Sequence, residues 1–485
     1  MAIILVTDRS DTWLGEIPGV EQVDVRDYLT SPEWSKRTGV KVYNLCQSYA
    51  YKSLGYYVSL LAEARGHRPL PTVRTIQDLH RNAAVRLVPL ELEELIETSL
   101  APIASDEFTL SVYFGRNTAK RYDKLSRDLY NLFQAPLLRF HFKRRTNWRL
   151  RRVHAIGTAD VPTTHREFVV ESAVSHFRRG PNQPSRRSSA RFDMAILHNP
   201  AEGQLAPSDD AALKKMIRAA ASLGINAQLI TQQDAARLLE FDALFIRETT
   251  AIDHHTYRMA RRAEHEGLVV IDDPLSILRC TNKVFLAELL QKNKVPIPKT
   301  IVAHRGNSDA IVTELGFPCV LKSPDSAFSL GVLKVNSEEE LRTQLKSLFA
   351  ESELVIAQQY MRTDFDWRIG VLDGRGLYAC KYHMARGHWQ IAKHEEGKST
   401  RWGKFETVPI ELAPRKAVAT ALKAASLIGD GLYGVDVKVC DDAAYVIEVN
   451  DNPNLDSGVE DAILREELYR RIMESFLRRI ERKKT

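Results

Sequence analysis

Gly434-Val435-Asp436-Val437-Lys438-Val439 and, after a polar turn, Tyr445-Val446-Ile447-Glu448-Val449-Asn450 both alternate apolar and polar residues with period two. Half-buried strands have that pattern. Paired as a hairpin centred on Asp442, Val435 faces Val449, Val437 faces Ile447 and Val439 faces Tyr445, which makes one face apolar. The other face sets Asp436 against Glu448, with Asn450 one step beyond. Like charges directly opposed across a ladder destabilise it, and a cation between them removes the objection. Two carboxylates and an amide oxygen are hard ligands, suited to Mg²⁺ held together with a nucleotide's phosphates. The plainer alternative is an exposed acidic face on an edge hairpin.

The chain has 485 residues, too many for one core, so two to four domains are expected. A hydrophobic content of 44% and a charged content of 27% describe a globular protein rather than a disordered or fibrous one. The net charge of +6 suits an anionic substrate or partner without establishing nucleic-acid binding. Cys46, Cys280, Cys319, Cys380 and Cys440 are widely spaced. They suggest neither a disulfide framework nor a zinc site, and read as small apolar fillers in a reducing compartment. The opening MAIILVTDRS is too short in apolar residues for a signal peptide, and no run approaches a membrane span. The expectation is a cytoplasmic protein without membrane partners.

Along the chain, residues 1–177 read as an N-terminal α/β unit, with strands at Ile3–Val6 and Val23–Val25 and a helix from about Ser48 to Arg65. From Arg139 to Arg152 the chain is densely basic, with Phe140, Phe142 and Trp148 interleaved. That pattern can grip RNA; the favoured reading is a solvated basic strand pair with its aromatics packed inward. Residues 178–190, rich in Arg, Pro, Ser and Gly, read as a linker. Residues 191–280 read as a second α/β unit, with strands at Met194–Leu197, Ala227–Ile230, Ala243–Arg247 and Leu268–Ile271. Residues 281–355 and 356–485 read as two α+β parts, with a helix from Lys283 to Lys292 at the start of the first.

Two short motifs mislead. Gly429-Asp430-Gly431-Leu432-Tyr433-Gly434 matches G-x-G-x-x-G, but it leaves a helix and opens a strand, the reverse of a dinucleotide fold. Gly429 reads instead as a helix C-cap. Gly397-Lys398-Ser399-Thr400 matches the end of a phosphate-binding P-loop, but the required upstream glycine is Ala392.

A better phosphate site begins at Cys319–Lys322, a strand ending in lysine. A loop of small residues, Ser323 to Gly331, follows and leads to the returning strand Val332–Val335. Such a loop can fold over a triphosphate, with Lys322 as a point charge. Val355 to Met361 is an apolar strand whose backbone can read an adenine edge, with Tyr360 and Met361 beside the ring. Asp364-Phe365-Asp366-Trp367-Arg368 then offers carboxylates for a ribose and a guanidinium for a phosphate or a substrate carboxylate.

This order of elements resembles the ATP-grasp superfamily, in the RimK-like branch of ribosomal protein S6 glutamate ligases and glutathione synthetases. The most specific match is Val446-Ile447-Glu448-Val449-Asn450-Asp451-Asn452-Pro453. The resemblance covers about 192–475; residues 1–177 look like the N-terminal domain attached to some members. It implies an ATP-grasp fold of two α+β subdomains that clasp ATP, preceded by a Rossmann-like pre-ATP-grasp domain. It also implies that Lys283, Lys322 and the loop residues Ser326, Ser329 and Gly331 hold ATP phosphates. Gln359, Tyr360 and Met361 would form the adenine hinge and Asp366 would hold the ribose. Asp436, Glu448 and Asn450 would bind two Mg²⁺, with Mn²⁺ as a substitute. The chain departs from the branch in having Gln359 where a Glu is usual, a loop poor in glycine, and Arg386-Gly387-His388-Trp389 where relatives carry Arg-Ser-Asn.

The implied chemistry is carboxylate–amine ligation. ATP phosphorylates a carboxylate to an acyl phosphate, an amine attacks the acyl carbon, and Arg368 or Arg386 stabilises the oxyanion. The Ser326–Gly331 loop is the expected lid. The scattered cysteines and His254-His255 need no catalytic role. Three functions stay open: addition of an amino acid such as glutamate to a peptide, protein or small amine; a small-molecule ligase of the glutathione-synthetase kind; and a nucleotide-binding regulatory or RNA-associated protein without turnover. Relatives are often dimers or tetramers, so a homo-oligomer is expected.

Overall fold

The computed structural model describes residues 2–8, 12–15, 17–37, 39–80, 90–179, 190–325, 331–386, 388–393 and 401–484. Among the described residues no helix is long and apolar enough to cross a membrane. Two compact units are present: Met1–Arg191 with Ala235–Glu240, and Phe192–Asp234 with Phe241–Thr485.

The first unit contains a parallel sheet of order β2-β1-β3-β4, built from β1 (Ala2–Thr7), β2 (Glu21–Asp24), β3 (Val40–Leu45) and β4 (Arg68–Leu70). Helix Leu54–Ala64 crosses over between β3 and β4; Ser53 caps its start and Gly66, at φ +68, turns the chain after it. A second sheet was not part of the α/β expectation. It is antiparallel, made of β5 (Glu107–Tyr113), β6 (Leu137–Arg144) and β7 (Trp148–Ala155). The basic segment occupies β6 and β7, and its Phe140, Phe142 and Trp148 are buried in the core on one side of the sheet. Alternation puts the arginines on the other side, so the inward-packed reading of these aromatics holds.

The second unit opens with a parallel sheet of order β11-β10-β8-β9, from β8 (Phe192–His198), β9 (Ile225–Ile230), β10 (Ala243–Arg247) and β11 (Val269–Ile271). The strands β10 and β11 are buried throughout, as expected when both faces are covered, whereas the edge strand β9 alternates buried and partly exposed residues. Two antiparallel sheets follow. The smaller has the order β12-β15-β13-β14, from β12 (Thr300–Ala303), β13 (Cys319–Lys322), β14 (Val332–Val335) and β15 (Val355–Gln359). The larger has the order β20-β17-β16-β21-β22, from β16 (Phe365–Leu372), β17 (Arg375–His383), β20 (Phe405–Val408), β21 (Leu432–Cys440) and β22 (Ala443–Asn450). A two-residue pair, β18 (Ala392–Lys393) and β19 (Arg401–Trp402), stands apart. This is the two-subdomain ATP-grasp arrangement behind a Rossmann-like sheet.

The β21–β22 hairpin turns through Asp441 and Asp442, at φ 48 and 64, so a two-residue turn centres it between them rather than on Asp442. Val435 opposes Val449 and Asp436 opposes Glu448, as the alternation predicts. A bulge then shifts the register: Val437 pairs with Val446, Lys438 with Tyr445 and Val439 with Ala444. The expected pairs Val437–Ile447 and Val439–Tyr445 are therefore corrected. One extra residue in a strand reverses the facing of its neighbours beyond the bulge. Val446 goes into the core, while Ile447 emerges on the side of the two carboxylates.

The core side of this hairpin packs on helix Arg415–Ile428 through Ala417, Ala421, Ala424 and Ala425. Alanines bring the helix close to the valines, and each buried valine contributes roughly 1.5–3 kcal/mol. Gly429 caps that helix at its C-terminus, as expected.

Candidate active site

The hairpin, the start of helix Lys283–Lys292 and the ends of β13 and β15 converge on a cavity of about 120 Å³. Lys283, Lys322, Gln359, Tyr360, Met361, Asp366, Asp436 and Glu448 all line it. Asn282 caps the helix through the Phe285 amide, which sets Lys283 in the first turn beside the hairpin. Lys322 is the last residue of β13 and is buried; burial, offset in part by Glu448, pulls its ammonium down to about 8.

The opposed carboxylates are held by cations of the protein itself. Arg368 makes a bidentate pair with Asp436, Nε to Oδ1 at 2.7 Å and Nη2 to Oδ2 at 2.8 Å. Lys283 Nζ lies 3.1 Å from Glu448 Oε1. Burial works against ionisation of Glu448, but Lys283 and Lys322 hold its carboxyl below the usual range. Burial likewise opposes the charge on Arg368, and Asp436 more than restores it. Asn450 Nδ2 donates to Gly434 O at 3.1 Å, which leaves its amide oxygen for another partner. Three oxygen-bearing side chains therefore share one face, and that donor set fits a hard divalent cation.

At the other end, Gln358 is buried and its Nε2 donates to Thr300 Oγ1 at 3.0 Å; the Gln359 amide donates to Lys299 O at 2.8 Å. Lys334 Nζ sits 4.0 Å from the centre of the Tyr360 ring. Asp366 is buried and paired with Lys438, which also donates to Thr363 Oγ1 at 2.6 Å. Burial pushes the Asp366 carboxyl up and Lys438 pulls it back.

The structure does not bring every predicted residue here. Gly331 is described, at φ +69, and its carbonyl accepts the Ser323 amide, but it lines neither cavity. Arg386 is exposed in a turn and lines neither cavity. Ser326 and Ser329, with most of the expected lid, lie outside the described residues, as do Gly397-Lys398-Ser399-Thr400 and most of the 178–190 linker.

The sequence reading missed several groups at this site. Lys438 could have been found, because it shares a strand face with Asp436. Met384 also lines the cavity and carries no local signal; Trp389, Gln390 and Ile391 line it too, in the segment that stands where relatives carry Arg-Ser-Asn. Arg247, 1% exposed at the end of β10, binds Asn452 Oδ1 at 2.6 Å, Pro453 O at 2.7 Å and Pro207 O at 2.6 Å. It thus anchors the segment that follows Asn450. Burial lowers its guanidinium to about 10.

Asp436, Glu448 and Asn450 also border a larger cavity of about 1070 Å³. Its walls include Asp209, Asp253, Asp451, Asp456 and Glu460, with Arg368 and Lys283 as its cations. Glu460 is buried and accepts from Tyr382 Oη and from the Asp456 amide.

Residues 25–172 match the family model of the RimK-like ATPgrasp N-terminal domain, and residues 280–463 match that of the RimK-like ATP-grasp domain. The chain belongs to the RimK-like ATP-grasp family. Among curated relatives, a probable alpha-L-glutamate ligase of Thioalkalivibrio sulfidiphilus (strain HL-EbGR7) is 26% identical over 229 residues, which are 46% of this chain and 73% of that protein. One of Teredinibacter turnerae (strain ATCC 39867 / T7901) is 27% identical over 231 residues, 47% of this chain and 73% of that protein. Among solved structures, D-alanine–D-alanine ligase from Bacillus anthracis superposes with a TM-score of 0.47 at 18% identity, over 60% of this chain and 98% of that one. As a RimK-like ATP-grasp ligase, the chain uses ATP to join a carboxylate to an amine.

Proposed function

We propose that this ligase activates the carboxylate of a glutamate-like amino acid as an acyl phosphate and passes the acyl group to the amine of a peptide, protein or small molecule. The observation that carries the reading is the convergence of Asp436 and Glu448 with Lys283 on both cavities, joined by Lys322 in the smaller and by Asn450 in the larger. The relatives named as glutamate ligases support the donor.

In this reading the adenine lies against Gln359, Tyr360 and Met361, with Ile447 beneath it, and Asp366 meets the ribose. Lys283 and Lys322 meet the phosphates. Asp436, Glu448 and Asn450 hold Mg²⁺, and bound Mg²⁺ supplies charge neutralisation for phosphoryl transfer. With the carboxylates so engaged, Arg368 and Lys283 exchange their present partners for anionic oxygens of the substrates. Arg368, which lines the larger cavity, would then face the oxyanion formed when the amine attacks.

The larger cavity suits the acceptor. Its volume exceeds what one amino acid needs, and its carboxylate-rich wall favours an amine-bearing molecule over an acidic one. The test is ADP release scored against a panel of amino acids with and without amine acceptors, then mass spectrometry of the product. Glutamate-dependent ADP release with an amide-linked product supports the reading. ADP release that no amino acid stimulates overturns it.

A further inference from the structure

A second cluster of metal-ligating side chains lies beside the end of β10, in residues that line neither cavity themselves. Glu248 follows directly on β10 and is 1% exposed. His254 and His255 stand at the start of helix His255–His265, and His255 is 8% exposed. One ligand atom from each of the three residues falls within 4.8 Å of the others. The two imidazole rings are 3.9 Å apart at their centres.

The cluster is not satisfied by the protein. His255 Nε2 comes within 2.7 Å of Glu248 Oε1. Yet that contact lacks hydrogen-bond geometry: both oxygens of Glu248 and Nε2 of His255 are buried without a hydrogen-bond partner. A buried carboxylate left in that state costs several kcal/mol. A second acidic side chain lies close by: Glu202 accepts the Thr249 amide at 3.1 Å. Its carboxyl is raised by burial and further by the negative charge of Glu248. On the imidazole side, Thr256 Oγ1 holds His254 Nδ1 at 3.1 Å. This leaves His254 Nε2 available, and orienting a ligand ring through its other nitrogen is the usual role of such a partner.

We propose that Glu248, His254 and His255 bind one Zn²⁺-like transition-metal ion, distinct from the Mg²⁺ expected at Asp436 and Glu448. Two imidazoles and a carboxylate are the ligand chemistry of borderline-soft divalent metals, not of Mg²⁺. Tetrahedral bonds of about 2.0 Å set ligand atoms roughly 3.3 Å apart, so small side-chain rotations bring the three atoms from their present spacing to an ion. The fourth position is left to water.

The placement suggests what the ion does. Glu248 and His254 bracket Thr249, Thr250, Ala251, Ile252 and Asp253, and every one of these lines the larger cavity. Thr250 Oγ1 also donates to Asp451 Oδ2 at 2.8 Å, next to Asn450. An ion tied to both ends of this loop fixes one wall of the cavity assigned to the acceptor. This last step rests on the ligase reading; the metal site does not.

The experiment uses the full chain, stripped by chelator and dialysed without nucleotide. Zn²⁺ binding is followed by calorimetry and elemental analysis, and Co²⁺ substitution by its visible absorption. One equivalent of Zn²⁺, a tetrahedral Co²⁺ spectrum and a metal-dependent rise in Tm are expected. His254→Ala, His255→Ala and Glu248→Gln should each lose stoichiometric binding, and Thr256→Val should weaken it by about tenfold. Glu448→Gln should leave it unchanged, so failure of the ligase reading cannot be mistaken for failure of this one. Should a histidine variant misfold, Thr256→Val and the wild-type stoichiometry still decide. No stoichiometric Zn²⁺ on the wild type, or equal binding by a folded His254→Ala, His255→Ala double variant, overturns the proposal.

Discussion

Two hairpins of this chain look alike in sequence and differ in what they do with charge. β6–β7 and β21–β22 each carry alternating apolar and charged residues, and each contains a bulge, after His141 in one and after Asp436 in the other. On β6–β7 the charged side faces solvent. Lys143 pairs with Glu107 and Arg149 with Glu93, and these side chains are 32–71% exposed. On β21–β22 the charges face a cavity and the cations come from other elements: Asp436 and Arg368 are 9% and 15% exposed, and Glu448, itself 32% exposed, pairs with a Lys283 that is only 10% exposed. A charged strand face is therefore no evidence of a site. Burial of opposed charges, with partners supplied by several distant segments, is.

The largest effect should separate the two hairpins outright. Glu448→Gln and Asp436→Asn should each cut ATP turnover by at least about 100-fold, the first with a melting curve close to wild type and the second with a lowered Tm, because the buried Arg368 loses its partner. A variant that keeps wild-type ADP production breaks the comparison.

The bulge gives a sharper test within one hairpin. Val446 and Ile447 are adjacent and both apolar, but only Val446 is in the core. Val446→Asp buries an unpaired carboxylate and should destabilise by about 3 kcal/mol or more in denaturant unfolding. Ile447→Asp should cost less than about 1 kcal/mol of stability and instead raise the KM for ATP roughly tenfold, through the lost apolar contact. Equal destabilisation by both would restore the unbulged register.

That pair of residues also shows where sequence reasoning stops. Helix Lys283–Lys292 and strand Cys319–Lys322 were legible to the residue, because caps, prolines and periodicity are local signals. The bulge was not, since an apolar residue at both 446 and 447 satisfies either register. Arg247 was hidden for another reason. It ends an apolar strand, and its carbonyl partners are 40 and 206 positions away. The convergence of Lys283, Lys322, Asp436 and Glu448 was readable only through family resemblance, because alternation says which face a residue takes and not which face another segment meets. Arg386 was carried over by the same route, and the fold leaves it exposed in its turn.

Lys322, buried at the end of β13, offers a pH test. Its pKa is drawn down to about 8 chiefly by burial. The ammonium is charged below that pH and neutral above it, so attraction for phosphate is present at low pH and lost as pH rises through about 8. Nucleotide affinity should fall about tenfold between pH 7 and pH 9. Lys322→Met should bind weakly and show little of that dependence. An unchanged slope in the variant would assign the titration elsewhere.

The smallest expected effect belongs to the basic hairpin. Arg149 pairs with Glu93 at the surface, with side chains 45% and 32% exposed. An exposed pair gains little Coulomb energy in water, loses side-chain entropy and is screened by salt. Arg149→Ala should therefore change unfolding free energy by less than about 1 kcal/mol and leave ATP turnover untouched. RNA mobility shifts at two salt concentrations decide whether this face is more than solvated charge. Tight, salt-steep binding that Arg149→Ala and Arg152→Ala weaken would turn the basic hairpin into a second functional surface. It would also end the contrast between the two hairpins, since exposed and unconverged charge would then have a partner of its own.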